Sequence, residues 1–360
     1  MERRSFMKQA ALAAGAALAL TPSTALAHGI SSPSSKSQSG TKIPTLVIHG
    51  GTSGLGLTKR EFAVRRRVMD EALLAGRDVL MKGGTATDAV IAAIVVMEDS
   101  PEFNAGRGAV FTSDGFNELD ASLMDGQTKR AGAIAMSRHI KNPIRGARIV
   151  MEKTWHTLIA GEGADKLAEK YGLEMVDQEY YFVQRVFDRL QEAKEKEKLM
   201  LDSDGSPQSS NHTGDYTNPY LGTVGAACLD TYGNLAAGTS TGGMTNKMTG
   251  RIGDSPIIGS GNYADNDSVA LSCTGTGDIF IRASAAHEVS ALYKYRGLSV
   301  QEAAQEAVRQ VADLGGEGGI VSVDRFGNPG FAWTTDKLGM FHGLIRLDGD
   351  PKVFWPVAKS

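Results

Sequence analysis

The fold is decided at Leu221-Gly222-Thr223-Val224-Gly225-Ala226-Ala227, where a polar segment changes abruptly into an apolar one. Residues 201–220 are rich in Gly, Pro, Ser and Asn, and residues 191–198 carry dense charge. This composition predicts an exposed, mobile linker over about residues 191–222. The apolar run that begins at Thr223 predicts a buried strand. The bond between linker and strand is therefore the first feature to explain.

The rest of the chain has short apolar runs separated by turn residues, and two longer amphipathic segments. Predicted hairpins join residues 223–229 to 235–241 and residues 320–323 to 330–334, with helices at 279–295 and 300–314 between them. Upstream, strands are predicted at residues 45–49, 108–111, 118–123 and 132–136, and helices at 60–81, 88–97, 149–160 and 164–171. Regular β-α-β alternation is absent, so the pattern predicts an α+β fold of antiparallel sheets covered by helices.

Composition narrows the class of protein. The chain has 360 residues, of which 41% are hydrophobic, so a large core is expected in one or two domains. The net charge of −3 gives no indication of a nucleic-acid partner. Cys228 and Cys273 both lie in apolar strand-like runs, and they are interpreted as core residues rather than a disulfide framework.

The N-terminus has the features of a targeting segment. Arg3-Arg4-Ser5-Phe6-Met7-Lys8 precedes an apolar run that is too short to span a bilayer, and Ala25-Leu26-Ala27 offers a cleavage site. These features predict a twin-arginine signal peptide over residues 1–27 and a flexible segment over residues 28–40. An ordinary secretory signal stays open as an alternative. Export to a bacterial periplasm is expected, with no membrane anchor after signal removal.

Thr223 acquires chemical meaning only if the bond before it is cut. A threonine that starts a strand is usually structural. Cleavage after Gly222 would give Thr223 a free α-amine, which titrates at about 7.7–8.0 and therefore acts as a base near neutral pH. That amine would activate the hydroxyl of the same residue. The same hydroxyl is placed to attack the preceding carbonyl, so one group would serve both self-cleavage and catalysis.

The segment from Thr223 to Asp265 resembles the plant-type L-asparaginase and isoaspartyl peptidase family of N-terminal-nucleophile hydrolases. Further matching motifs are His49-Gly50-Gly51, Phe103-Asn104-Ala105-Gly106, Glu118-Leu119-Asp120-Ala121-Ser122 and Ser272-Cys273-Thr274-Gly275-Thr276-Gly277. The resemblance covers about residues 44–355, except the linker. It implies a four-layer αββα sandwich processed into an α subunit, residues 41–222, and a β subunit, residues 223–360. It also implies a homodimer of these αβ pairs.

The resemblance assigns the reacting groups. Thr223 matches the nucleophile, and Thr241 matches the threonine that hydrogen-bonds and tunes it. Thr274 and Gly275 match the oxyanion hole, where a hydroxyl and a backbone N–H face developing negative charge and also contact substrate. From the residues alone, Thr241 at a strand end would more often be structural, and the Gly-rich turn at Gly275 reads equally well as a helix cap.

A second group of matching residues binds the substrate. An aspartyl head group carries an α-carboxylate and an α-ammonium on one carbon. Arg251 can hold the carboxylate through two hydrogen bonds, and Asp254 can take the ammonium. A surface ion pair between Arg251 and Asp254 is the simpler alternative. Asn104 matches a pocket asparagine, whose side chain can both donate and accept.

A loop near residue 100 matches a sodium site of some relatives. Its main-chain carbonyls belong to Met97, Glu98, Ser100, Phe103, Ala105 and Arg107. No histidine lies nearby, so a divalent-metal site is not expected, and any ion here would be structural. No organic cofactor is required by the predicted chemistry.

The predicted function is hydrolysis of β-aspartyl amides, isoaspartyl dipeptides and L-asparagine, with release of L-aspartate. Two features bear on the substrate. Residues 52–56 depart from the Ala-Gly that often follows His-Gly-Gly in the family, so one wall of the pocket or its gating is expected to differ from that of the family. Glycosylasparaginases usually have His-Asp before the nucleophile, whereas this chain has Gly222. Glycosylasparaginase activity and an exported amino-acid-binding protein without turnover are the alternatives.

Overall fold

The strand predicted after Gly222 lies near the centre of an eight-stranded sheet. The computed structural model describes residues 41–54, 58–204, 222–335 and 338–355, all within one compact unit. The strands are β1 (Thr45–Gly54), β2 (Leu119–Asp125), β3 (Ala131–Ser137), β4 (Leu158–Ala160), β5 (Val224–Leu229), β6 (Leu235–Thr241), β7 (Asn262–Ala264), β8 (Val269–Gly275), β9 (Gly318–Asp324), β10 (Pro329–Trp333), β11 (Leu338–Arg346) and β12 (Lys352–Phe354). The helices are α1 (Lys59–Met81), α2 (Ala86–Glu98), α3 (Pro143–Lys153), α4 (Glu162–Lys170), α5 (Gln178–Tyr181), α6 (Gln184–Asp204), α7 (Gly277–Ala283), α8 (Ala285–Arg296) and α9 (Val300–Asp313).

Two sheets form the middle of the structure. The larger has the order β12-β11-β1-β5-β6-β2-β3-β4, and the smaller has the order β10-β9-β8-β7. Neighbouring strands are antiparallel, except that β4 runs parallel to β3. The predicted hairpins are β5–β6 and β9–β10. Because β5 and β8 belong to different sheets, residues at their ends can meet between the layers.

Three apolar cores separate four layers. One core packs α1, α2 and α3 against the large sheet, and another packs α8 and α9 against the small sheet. A third core lies between the two sheets and includes Val47, Ala227 and Val321. This is the predicted helix–sheet–sheet–helix arrangement. Cys228 and Cys273 are buried free thiols in the two outer cores, as the apolar pattern predicted.

Three helices begin where the sequence provides a capping box. Thr58 with Glu61, Thr85 with Asp88, and Ser299 with Glu302 exchange side-chain and backbone hydrogen bonds at the starts of α1, α2 and α9. Each box satisfies backbone N–H groups that the first helical turn leaves without partners. These boxes fix the start of each helix. For α1 and α2 the observed start lies within two residues of the start that the apolar pattern predicted.

Three predicted elements differ from the structure. The helix expected at residues 149–160 begins earlier, at Pro143, which suits a first helical turn, and it is followed by β4. The helix expected at 279–295 is divided at Ser284, which has a left-handed backbone with φ 49°. Residues 108–111 do not form a strand. A 3-10 turn ends at Gly108, and Phe111 makes an isolated bridge to Asn117.

The linker was predicted to begin too early, because residues 191–204 belong to α6. Glu, Lys, Ala and Gln are strong helix formers, and Glu–Lys pairs four residues apart support a solvated helix. Residues 205–221 of that linker lie outside the described residues, as do residues 55–56 of the departure from the family, the predicted signal 1–27 and the segment 28–40. Within the described part, no helix is both long and apolar enough to cross a bilayer.

Candidate active site

The antiparallel pairing of β5 and β6 brings Thr223 beside Thr241. Val224 pairs with Ser240, so the residue before β5 lies opposite the last residue of β6. The Thr223 hydroxyl donates to the Thr241 Oγ1 at 3.0 Å, and the backbone N–H of Gly243 donates to the same oxygen at 3.0 Å. Thr223 is largely buried, although 9% of its surface is exposed to solvent. The two threonines predicted to act together are thus in hydrogen-bond contact.

The end of β8 supplies the predicted oxyanion hole from the other sheet. Thr274 is 1% exposed, and Gly275 has φ 145°, a backbone conformation that disfavours residues with a side chain. A Cβ on Gly275 would lie 2.2 Å from the Glu317 carbonyl oxygen. Glycine is therefore required where β8 leaves the sheet and turns into α7. Gly275 faces the cavity beside Thr223, whereas Thr274 does not line it.

A cavity opens between the ends of β5, β6 and β8. Its walls include the predicted nucleophile, its threonine partner and both predicted substrate-binding charges. The lining residues are Thr223, Thr241, Gly243, Met244, Arg251, Gly253, Asp254, Ser255, Gly275, Thr276, Gly277 and Asp278. A small ligand in this cavity would therefore contact the Thr223 hydroxyl together with the side chains of Arg251 and Asp254.

The Asp254 carboxyl is the buried charge of this cavity. It is 4% exposed, and its Oδ2 has no hydrogen-bond partner among the described residues. Burial raises the pKa of Asp254 to about 7, although the nearby Arg251 guanidinium acts in the opposite direction. A buried carboxylate oxygen without a partner is costly. Oδ2 is therefore an unused hydrogen-bond acceptor at the cavity wall.

Arg251 and Asp254 do not form the simple surface ion pair that was the alternative interpretation. Arg251 instead pairs with Asp278, with 2.5 Å between Nη2 and Oδ2. Asp254 stays within electrostatic reach of Arg251, and both side chains line the cavity. The two charges that the sequence predicted to clamp substrate are thus separate groups that face the same space.

Gly222 packs against the backbone of the His49-Gly50-Gly51 motif. A Cβ on Gly222 would lie 2.2 Å from the Gly51 Cα and 2.7 Å from the Thr52 nitrogen. Gly51 has φ 95°, and β1 changes register between His49 and Thr52. This direct contact between two glycine backbones explains why the residue before Thr223 is a glycine. A side chain at either position would displace the Gly222–Thr223 bond.

Asn104 contacts the same bond through its backbone. Its N–H donates to the Gly222 carbonyl oxygen at 3.3 Å. Its side-chain amide donates to the Gly243 carbonyl at 2.6 Å and accepts from the Val110 N–H at 3.0 Å. Asn104 does not line the cavity. The amide therefore holds two loops together, and the pocket role of the Asn104 side chain stays a prediction.

A buried polar cluster with residues from both sheets surrounds β5. His49, Gly225 and Thr239 lie in one row across β1, β5 and β6. Ser272 on β8 contacts His49 Nε2 at 2.8 Å and Thr239 Oγ1 at 2.6 Å. A Cβ on Gly225 would lie 1.9 Å from the Ser272 Oγ, so glycine leaves room for this contact. Burial lowers the pKa of His49 to about 3, so the ring is neutral near pH 7.

The predicted sodium loop lies beyond the end of α2. A Cβ on Gly106 would lie 2.4 Å from the Glu98 carbonyl oxygen, and one on Gly108 would lie 2.1 Å from that of Phe103. Each of these carbonyl oxygens therefore lies so close to a glycine that a side chain at that position would clash with it. The Glu98 carboxyl is turned elsewhere and accepts from the Ser240 hydroxyl at 2.7 Å, and burial raises its pKa to about 8. No group of three acidic, His or Cys side chains suited to a metal occurs in the described part of the chain.

Several lining residues were not predicted from the sequence. Thr276, Gly277 and Asp278 follow the Thr274-Gly275 motif directly, and Gly243 follows Thr241. A Cβ on Gly277 would lie 2.7 Å from the Asp254 Oδ1, so glycine is needed for space rather than for its backbone angle. The sequence signal was an acidic residue immediately after a Gly-rich turn. Its contact with Arg251, 27 positions away, is visible only in the fold.

Comparison with known proteins places the chain in a family. The asparaginase family model matches residues 42–354. The chain belongs to the asparaginase family. The isoaspartyl peptidase of Escherichia coli (strain K12) is 44% identical over 321 residues, which cover 85% of this chain and 97% of that protein. The isoaspartyl peptidase/L-asparaginase of Homo sapiens is 38% identical over 296 residues, which cover 82% of this chain and 91% of that protein.

Membership of the asparaginase family agrees with the resemblance drawn from the motifs. The matched region contains every cavity residue described above, from Thr223 to Asp278. It begins one residue after the start of the described structure and ends one residue before its end. The asparaginase-family match therefore covers the whole described unit, including both sheets and the outer helices.

Proposed function

We propose that this asparaginase-family chain hydrolyses β-aspartyl amides and releases L-aspartate, with Thr223 as its nucleophile. One observation carries the proposal. The Thr223 hydroxyl lies 3.0 Å from the Thr241 hydroxyl at the wall of a cavity that Arg251 and Asp254 also line. The names of the relatives, isoaspartyl peptidase and L-asparaginase, support the same substrate class.

The first proposed reaction is self-cleavage before Thr223. The Thr223 Oγ attacks the Gly222 carbonyl carbon while the Asn104 N–H, 3.3 Å from that oxygen, stabilises the negative charge. The C–N bond breaks, the nitrogen takes up the proton that the hydroxyl has lost, and the Gly222 acyl group is left on Oγ as an ester. Water then hydrolyses the ester, which leaves a carboxylate on Gly222 and a free amine on Thr223.

The second proposed reaction uses the freed residue for turnover. The α-amine takes the proton of the Thr223 hydroxyl as Oγ attacks the side-chain carbonyl of the substrate. Thr274 and Gly275 are the proposed donors to the oxyanion. The amine then protonates the leaving nitrogen, and water attacks the acyl-enzyme and releases aspartate. Each proton removed by the amine is returned within the cycle, so no cofactor is needed.

The head group of the substrate is held by two charged residues of the cavity, Arg251 and Asp254. Arg251 offers hydrogen-bond donors to an α-carboxylate, and Asp254 accepts from an α-ammonium. Asp254 must be ionised for this purpose, which its pKa of about 7 allows above neutral pH, and its Oδ2 is available to an ammonium because it has no partner among the described residues. Together the two groups favour a free aspartyl head group over an aspartate within a peptide chain, because a peptide would lack the charges.

The pH dependence of KM tests the role of Asp254. Because the pKa of Asp254 is raised to about 7, its carboxylate is protonated below pH 7 and cannot attract an ammonium. We expect KM for L-asparagine to fall as pH rises from 6 to 8. The fall should be about tenfold if binding needs the ionised form of this one carboxyl, because its ionised fraction rises by about that factor. Steady-state kinetics with succinamate, which lacks the ammonium, is the control and should not show this fall. An equal fall with both substrates would assign the titration to another group.

A substrate panel tests the activity as a whole. L-Asparagine, a β-aspartyl dipeptide, an α-aspartyl dipeptide and N4-glycosylated asparagine are incubated with the processed protein, and aspartate release is measured. We expect release from the first two and none from the α-linked dipeptide. Hydrolysis confined to glycosylated asparagine would instead support a glycosylasparaginase. Stabilisation by asparagine without any product would support a binding protein.

A structural sodium ion near the end of α2 is part of the proposal. Backbone carbonyl oxygens suit hard cations. Two of the predicted carbonyls lie within this loop, that of Glu98 against Gly106 and that of Phe103 against Gly108. The ion would be held by the main-chain oxygens of the predicted residues, Met97, Glu98, Ser100, Phe103, Ala105 and Arg107. It would fix the loop that carries Asn104 and would take no part in the chemistry.

Export and assembly extend the proposal beyond the active site. We infer that the chain is exported through the twin-arginine motif at Arg3-Arg4 and that it works in a bacterial periplasm. The mature protein is proposed to be a homodimer of αβ pairs. These inferences rest on the N-terminal sequence pattern and on the family resemblance.

A further inference from the structure

Asp278 is the ion-pair partner of the residue proposed to bind the substrate carboxylate. Its Oδ2 lies 2.5 Å from the Arg251 Nη2, and both residues line the cavity that contains Thr223. The Arg251 side chain is 18% exposed and that of Asp278 is 56% exposed. A carboxylate of the protein therefore sits where a carboxylate of the ligand is also expected.

Little else fixes the Arg251 guanidinium. Its Nε is buried and has no hydrogen-bond partner among the described residues. A Cβ on Gly253 would lie 2.8 Å from Nη1, and a Cβ on Gly277 would lie 3.1 Å from Nη2, so the group rests against two glycines that cannot hydrogen-bond it through a side chain. Within the described part of the chain, Asp278 is the one carboxylate within 4.0 Å of it. The orientation of the guanidinium thus depends on Asp278.

The hydrogen count of the guanidinium allows two carboxylates at once. Arginine has one hydrogen on Nε and two on each Nη. Asp278 uses one hydrogen of Nη2, which leaves the other hydrogen of Nη2 and both of Nη1. A bidentate contact needs one hydrogen from each Nη. Asp278 can therefore stay in place while a substrate carboxylate binds.

We propose that Asp278 is a positioning residue that holds the Arg251 guanidinium so that its free hydrogens meet the α-carboxylate of the substrate. The inference rests on the proposed function and adds a determinant of head-group specificity to it. In the opposite case, Asp278 would occupy the place of the substrate carboxylate and would have to be displaced. In a third case, the pair would be an exposed ion pair without consequence, as many are.

The test compares substrates that differ in one charge. In the processed enzyme, Asp278→Ala should raise KM for L-asparagine by about fivefold, the upper range for a partly exposed ion pair. The value of kcat should change less than about twofold, because Asp278 does not contact the reacting atoms. Succinamate, which keeps the carboxylate, should show the same rise in KM. The amide 3-aminopropanamide, which lacks the carboxylate, should show none. Asp278→Glu should restore part of the loss.

A matched control separates the role from general stability. Asp313 pairs with Arg309 at the same 2.5 Å on the exposed end of α9, away from the cavity. Asp313→Ala removes a similar ion pair and should leave KM unchanged for all three substrates. The inference is overturned if Asp278→Ala lowers KM, leaves it unchanged, or raises it equally with and without the carboxylate.

Failure of the proposed function is recognised separately. If the wild-type protein hydrolyses none of these substrates, the proposed function fails. The role of Asp278 is then still tested by calorimetry, which compares the binding of L-aspartate with the binding of β-alanine. β-Alanine lacks only the α-carboxylate of aspartate. Asp278→Ala should then weaken the binding of aspartate and not that of β-alanine. A wild-type protein that does not bind L-aspartate overturns both proposals.

Discussion

Replacing Thr223 with alanine is expected to abolish both self-cleavage and hydrolysis. The Thr223 Oγ is the proposed attacking atom in both reactions, and Thr223 is the residue that follows the Gly222 carbonyl. Removal of a nucleophile typically costs roughly 10⁴- to 10⁶-fold in turnover. An intact chain should therefore persist on a denaturing gel, and aspartate release should fall to the background of the assay.

Thr223→Ser is the matched variant for this prediction. It keeps the hydroxyl and removes one methyl group, so it should still cleave and still hydrolyse L-asparagine, at reduced rates. The melting temperatures of both variants should stay close to that of the wild-type protein, because Thr223 lies at the start of β5 rather than within a core. β-Aspartyl hydrolysis retained by Thr223→Ala would remove Thr223 from the mechanism.

Replacing Gly222 with alanine is expected to slow self-cleavage strongly and to leave the turnover of those molecules that do cleave close to wild-type. The new Cβ would lie 2.2 Å from the Gly51 Cα and 2.7 Å from the Thr52 nitrogen, both backbone atoms that cannot move aside cheaply. The Gly222 carbonyl must shift, and it would lose its alignment with the Asn104 N–H. A displacement of about 1 Å typically costs about 100-fold in rate. A gel time course of purified protein measures the cleavage rate.

The position of Gly222 lets the two reactions be separated. After cleavage Gly222 is the end of the first subunit, and the nucleophile on the second subunit is unchanged. The Gly222→Ala molecules that do cleave should therefore show nearly wild-type kcat for L-asparagine. Gly163→Ala, where a Cβ finds its nearest neighbour at 3.5 Å, is the control and should cleave normally. Cleavage of Gly222→Ala at the wild-type rate would contradict the close-contact explanation.

The site was largely predictable because its main residues lie in continuous motifs. Thr223 follows a composition change, and Thr241 ends the partner strand of the same hairpin, so local pattern and pairing locate both. The family resemblance supplied Arg251 and Asp254. Asp278 was not predicted, because its meaning depends on a contact with Arg251 that only the tertiary fold creates. The backbone contact of Asn104 with Gly222 was not predicted either, because the sequence does not show which N–H groups the fold brings to the Gly222 carbonyl.

In the fold, too, elements with local sequence signals were predicted better than elements without them. Capping boxes and hairpin turns are local signals, and the elements that carry them were predicted closely. The break between α7 and α8 at Ser284 was missed, because a left-handed serine leaves no trace in periodicity. The helical part of the linker was missed for a different reason. Dense alternating charge suits both a mobile segment and a solvated helix such as α6.

The most direct test of the central claim is the intact mass of the purified protein after incubation at neutral pH. Self-cleavage at the Gly222–Thr223 bond predicts two fragments, one of which begins at Thr223 with a free α-amine, and aspartate-releasing activity that rises as this fragment accumulates. A single uncleaved chain that hydrolyses β-aspartyl amides, or fragments with no terminus at Thr223, would contradict the account.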